Sequence, residues 1–269
     1  VASRASDYRR ILSEAVDEFA KHGYDSQDRL DYWLGRLRTA IEADAPSPSN
    51  VYRKVRAALE AIYDRLRGGG YRRFHPGLRR FVIERVGPDL ARTLERRVLV
   101  SVDLIVLNRK KSIEQTLQRF AGLATSIPPG GTKSLNKSEA VKTISKSIRQ
   151  MTFEERRVVI DQGHKMTANI NQVLAEDGGA IAAKWCSHWR QPGYDYREDH
   201  KERDQKVYLL RGNWAQKAGL VKAGEAGFYD KIDGVAVAPF CRCWIEYVYD
   251  LDDLPRDMLT RKGLAAIGA

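Results

Sequence analysis

Apolar positions in the first half of the chain recur at spacings of three and four, the period that places side chains on one face of a helix. Tyr8, Ile11, Leu12, Ala15, Val16 and Phe19 form one such stripe, and Gly23 follows as a C-terminal stop. Ser26 is placed to cap a second helix with the stripe Leu30, Trp33, Leu34, Leu37 and Ile41. Pro46 and Pro48 interrupt the pattern, and Ser49 restarts it into Val51, Tyr52, Val55, Leu59, Ile62, Tyr63 and Leu66. The glycines Gly68, Gly69 and Gly70 close that run, since each would cost about 1 kcal/mol inside a helix relative to alanine. A long helix is predicted from about Pro88, a residue suited to a first helical turn.

Ile127, Pro128, Pro129, Gly130, Gly131, Thr132 and Lys133 make the strongest break in the chain and predict a turn or linker. Past it, Val141, Ile144 and Ile148 predict a short helix. Thr152 and Glu155 have capping-box spacing at the head of another, which runs through Val158, Val159, Met166, Ile170 and Val173 toward Gly178 and Gly179. Beyond that glycine pair the period drops to two. Ile181, Ala183, Trp185, Ser187 and Trp189 fall on one side of an extended segment, with Lys184, Cys186 and His188 on the other. Residues 207–210, 235–237 and 244–249 predict further strands. The expected fold class is therefore α+β, a mainly helical amino-terminal region followed by a small α+β carboxyl-terminal module. The expected segments are a basic helical region at 1–132, connecting helices at 133–178 and the α+β module at 179–269.

Length and composition exclude several classes. With 269 residues, 43% hydrophobic and 30% charged, the chain can bury a sizeable core, and neither disorder nor a small disulfide scaffold is expected. No apolar run approaches the roughly 20 residues of a membrane span, so no membrane partner is expected. The start, Val1-Ala2-Ser3-Arg4, lacks an apolar signal segment, and secretion is not indicated. Three cysteines, two of them in one tripeptide, suit a reducing compartment or a metal. The net charge is +11, but residues 190–269 hold 13 basic and 13 acidic side chains against totals of 46 and 35. The whole excess lies upstream, on a segment suited to nucleic acid or to an acidic partner.

Candidate contacts for DNA phosphates are Arg72, Arg73, Arg79 and Arg80, interleaved with Tyr71 and Phe74, and then Arg92, Arg96 and Arg97 on the following helix. A solvated helix face is the alternative reading of the same residues. No helix-turn-helix, zinc-finger or single-strand-binding signature accompanies them, so binding is expected to be non-specific. Candidate metal ligands are Cys186, His188, His200, Cys241 and Cys243, because thiolate and imidazole are the usual ligands of zinc. The alternatives are reduced core cysteines with a hydrogen-bonded His200, or a thiolate nucleophile at Cys241 or Cys243 with His200 as base. The mixed-charge run 197–204 is compatible with a metal-dependent nuclease or with a salt-bridged loop.

The order of these features resembles a known family. Trp185-Cys186-Ser187-His188, Arg197 and His200 three apart, Asp204-Gln205-Lys206-Val207-Tyr208, and Pro239-Phe240-Cys241-Arg242-Cys243 together are similar to the minor head proteins of tailed bacteriophages typified by protein F of phage Mu. The helix at 156–174, with Ala168-Asn169, looks like the one that precedes this module in the family. The resemblance covers about 100 residues, with two departures. Gln205 stands where the family commonly has glycine, so the turn there need not have a positive backbone dihedral, and Phe240 replaces a more usual polar residue before the cysteine. The resemblance implies a non-enzymatic protein of the head interior or portal vertex, found in the host cytoplasm during assembly. Its implied partners are the portal or other head proteins and double-stranded DNA, and its implied role is head assembly, packaging or ejection. It implies the motif residues Trp185, Arg197, His200, Asp204, Cys241, Arg242 and Cys243, and no obligatory cofactor. A zinc-dependent nuclease or toxin-like effector in the carboxyl-terminal module is the alternative.

Overall fold

The computed structural model describes residues 5–68 and 83–268 and shows the expected α+β fold. Helices α1 (Ala5–His22), α2 (Gln27–Asp44), α3 (Pro48–Gly68), α4 (Ile83–Ser126), α5 (Lys137–Ile144) and α6 (Lys146–Asp177) come first. Strand β1 (Ala182–Cys186), helix α7 (Glu198–Glu202), β2 (Val207–Leu209), α8 (Trp214–Lys217), β3 (Trp244–Val248) and α9 (Arg261–Ala266) follow. The strands form one antiparallel sheet in the order β2-β1-β3. Among the described residues no helix is long and apolar enough to cross a membrane.

The chain divides into two compact units, one built from residues up to 55 and 100–158, the other from 56–99 and 159 onward. These units cut across the segment boundaries expected from the sequence, because α3, α4 and α6 each contribute residues to both. In the first unit the predicted stripes meet. Leu12, Val16 and Phe19 of α1 pack with Trp33 and Leu37 of α2, Leu117 and Phe120 of α4, and Ile144 of α5. The rings of Phe19 and Phe120 stand edge to face at 5.7 Å. In the second unit the sheet separates two cores. Ala183 and Trp185 face one core with Tyr208, Cys241 and Cys243, and Ala182 faces the other with Leu209, Val248 and Met258. The central strand is buried on both faces.

Local capping explains most helix ends. Ser26 Oγ accepts the Arg29 amide at 3.3 Å, as predicted, and α6 ends at the glycine pair, where Gly179 has φ +83°. Several boundaries differ from expectation. The third helix begins at Pro48, not after Ser49: proline takes the first position, and Ser47 Oγ accepts the Asn50 amide at 3.3 Å. Helix α4 starts upstream of Pro88, which sits in its second turn. Thr152 lies inside α6 and caps nothing, and Glu155 instead pairs with the buried Arg109, whose Nη1 also donates to Pro46 O at 2.8 Å. The true cap of this region is Asn136, whose Oδ1 accepts the Glu139 amide at 3.1 Å. Residues 235–237 are not a strand, since Ala236 adopts φ +61°.

The segment expected to be a linker is packed. The amides of Gly130 and Thr132 donate to His22 O and Ala20 O at 3.0 and 2.8 Å, and Tyr24 N donates to Ile127 O at 3.0 Å. This close approach requires Gly23, at φ +73°, where a Cβ would lie 1.8 Å from Pro128 O. Gly23→Ala is therefore expected to lower unfolding stability by more than about 1 kcal/mol, read from urea midpoints. Gly35→Ala, inside α2 with open space around its Cβ position, should be neutral or stabilising by up to about 1 kcal/mol.

Candidate functional site

The site grows from the alternation of β1. Trp185 points to the core that contains the two cysteines of the 241–243 tripeptide, while Cys186 points to the opposite face. The chain then loops to α7, one turn and a half of helix that carries His200, and returns as β2 antiparallel to β1. Cys241 and Cys243 lie at the end of the long 226–243 loop, just before β3 pairs with the other edge of β1. Buried cysteines alternate with an exposed Arg242, as expected for an extended tripeptide.

His200 Nδ1 stands 3.5 Å from Cys241 Sγ and 3.5 Å from Cys243 Sγ, and the three donor atoms lie within 4.8 Å of one another. All are buried: His200 is 5% exposed, Cys241 2% and Cys243 7%. The Trp185 ring, fully buried, meets the imidazole edge to face at 5.3 Å. Truncating a buried tryptophan costs about 3 to 5 kcal/mol, so this ring is the apolar anchor of the cluster. The two thiols perturb one another in opposite directions. A hydrogen bond from Cys243 draws the Cys241 thiol down against the cost of burial, with help from the amides of Ala236 and Cys243 and from His200. The same hydrogen bond, with burial and the charge on Cys241, pushes the Cys243 thiol up. Two sulfurs beside an imidazole make a soft donor set, able to hold a metal or to cross-link the fold by hydrogen bonds.

The motif residues around the cluster tie its segments together. Arg197 Nη2 donates to Pro239 O at 2.9 Å, joining the start of α7 to the loop before Cys241. Asp204 Oδ1 accepts the Ser187 amide at 2.8 Å and Oδ2 accepts Trp189 Nε1 at 3.0 Å, joining the end of α7 to β1. Burial opposes ionisation of Asp204, but these hydrogen bonds outweigh it and hold its carboxyl below the usual range. The Arg242 amide donates to Tyr194 Oη at 3.2 Å, and its guanidinium lies over the Tyr194 ring at 5.5 Å. Phe240 N donates to Asp161 Oδ1 of α6 at 2.6 Å.

Backbone conformation shows what these ties demand. Gln205 takes φ +66° although it is not glycine, because its amide must turn back to Trp185 O at 2.8 Å while Asp204 holds Ser187. Phe240 adopts φ +59°. Left-handed conformations at non-glycine residues cost about 1 to 2 kcal/mol each, so the cluster region is held against local preference.

The structure brings His200, Cys241 and Cys243 together and leaves Cys186 and His188 out of the group. Cys186 is a buried thiol on the other sheet face, its pKa raised by burial and by Glu246. The His188 ring packs edge to face on Trp244 at 4.9 Å. Among the DNA-contact candidates, Arg72, Arg73, Arg79 and Arg80 lie outside the described residues. Arg92 is exposed beside Asp89 and Arg96 is exposed. Arg97 instead turns inward, donating to Gln162 Oε1 at 3.2 Å and Asn169 Oδ1 at 2.5 Å. Sequence reasoning missed Asp161 and Tyr194, which bond to the 240–242 segment across long sequence separations; Asp199 lay within the mixed-charge run 197–204. Comparison with family models, with curated proteins and with solved structures finds no match.

The depressed Asp204 carboxyl sets a pH dependence. Its stabilising effect is complete above the unfolded-chain value of about 3.9 and disappears as pH falls through the lower folded value. Urea midpoints measured on the acid side are expected to fall less steeply with pH in Asp204→Asn than in the unsubstituted chain. At neutral pH that variant should already be the less stable of the two.

Proposed function

We propose that the chain is a non-enzymatic minor head protein of a tailed bacteriophage, associated with the portal and with double-stranded DNA during head assembly, packaging or ejection. The observation that carries this reading is the convergence of the resembling motifs. Trp185, Arg197, His200, Asp204, Cys241 and Cys243, spread over 59 positions of sequence, meet in or directly brace one buried cluster. Burial at this level supports a folding role, since a hydrolytic centre must admit a phosphate and a water to its donor atoms. Charge supports the DNA association. The carboxyl-terminal 80 residues are balanced, and the excess of +11 lies on the preceding, mainly helical part.

DNA binding by the full chain tests the reading. Affinity for random-sequence duplex DNA should be independent of sequence and fall linearly with the logarithm of salt concentration. Joint replacement of Arg72, Arg73, Arg79 and Arg80 by alanine should make that slope shallower by up to about 3 to 4, one increment per lost phosphate contact. Supercoiled plasmid should stay intact with zinc or magnesium present, and the chain should be recovered with the portal from purified heads. Plasmid nicking that disappears in His200→Ala would replace this reading by the nuclease.

A further inference from the structure

We infer that His200, Cys241 and Cys243 form a resident structural metal site that takes one zinc ion through Nδ1 and the two Sγ atoms. The inference stands on local geometry and does not depend on the head-protein reading. A single ring nitrogen has one proton or one lone pair, so it satisfies one hydrogen bond in the ring plane. Here it is equidistant, at 3.5 Å, from two sulfurs. That arrangement fits a common centre. Zinc bonds of about 2.3 Å to sulfur and about 2.0 to 2.1 Å to nitrogen, at tetrahedral angles, put nitrogen and sulfur about 3.6 Å apart. Two thiolates and an imidazole are soft donors that suit zinc and do not suit magnesium or calcium.

The cluster is enclosed: all three residues are buried, and the Trp185 ring closes one side of the imidazole at 5.3 Å. On the far side of the imidazole, Asp199 Oδ2 lies 3.8 Å from Nε2, beyond hydrogen-bond distance, and pairs with Arg203 Nη2 at 3.0 Å, so it places a negative charge near the ring without bonding to it. Ser187 Oγ lies 3.7 Å from Cys243 Sγ, so a hydroxyl borders that sulfur. Burial of the set makes the ion a clamp between α7 and the 226–243 loop rather than a reaction centre.

The test uses the full chain, purified under reducing conditions. Elemental analysis is expected to find about one zinc per chain. After removal of zinc by a chelator, titration with cobalt(II) alone should produce intense tetrahedral ligand-field bands and a thiolate-to-cobalt charge-transfer band. Cys186→Ser should keep both the metal and the spectrum, and Cys241→Ser, which leaves the single thiolate of Cys243, should lower the charge-transfer intensity. Because Cys241→Ser disturbs a buried site, Asp199→Asn provides a folded comparison at an exposed residue, expected to keep the tetrahedral cobalt spectrum while weakening cobalt affinity through loss of the nearby negative charge. A chain with native circular dichroism that carries no zinc and gives no tetrahedral cobalt spectrum would overturn the inference.

Discussion

Two sulfurs and an imidazole buried against one tryptophan impose a constraint that organises the second unit. In a medium that penalises isolated charge, these groups must be satisfied by one another, by backbone amides or by a shared ion. Satisfying them requires three chain segments far apart in sequence to arrive at one place: β1 with Trp185, α7 with His200, and the loop that delivers Cys241 and Cys243. The sheet alone does not enforce this, because β2 has three residues and β3 meets β1 over five positions. The long loop before β3 has little regular structure and takes its course from these contacts, from Arg197 on Pro239 O and from Asp161 on the Phe240 amide. Strain at Gln205, Ala236 and Phe240 follows from the same requirement.

Much of this was legible in the chain because it rests on local rules. The period of three and four located α1, α2 and α3, the switch to a period of two located β1, and alternation within 241–243 put both cysteines on one face. What escaped was set by tertiary partners. Thr152 and Glu155 matched a helix start, yet Glu155 is taken by Arg109 from another helix, and α6 passes through uninterrupted. The proline and glycine run at 127–133 had the composition of a linker, yet its amides found the carbonyl end of α1. Five candidate ligands were visible as residue types, and the pleat of β1 removes Cys186 from the cluster. Arg97 looked like its basic neighbours, and only its position opposite Gln162 and Asn169 turns it inward.

The proposed role draws on a division of labour between charge and packing. A charge-balanced module braced by a buried polar cluster gives a rigid body suited to docking on protein. The positive excess suited to a polyanion lies before residue 190. Of the motif residues, Arg197 bonds to the carbonyl of Pro239 and Asp204 to the amide of Ser187, each a neighbouring segment of the module.

Native-state hydrogen exchange on the full chain tests most directly whether the cluster joins these segments into one cooperative body. The amides of Ser187, Gln205, Phe240 and Arg242 each donate across a different junction around it, to Asp204, Trp185 O, Asp161 and Tyr194 Oη respectively. The account predicts that all four open together with one free energy, and that replacing Cys241 lowers that energy for all of them alike. Independent opening, with Phe240 and Arg242 exchanging at loop rates while Ser187 and Gln205 stay protected, would contradict it.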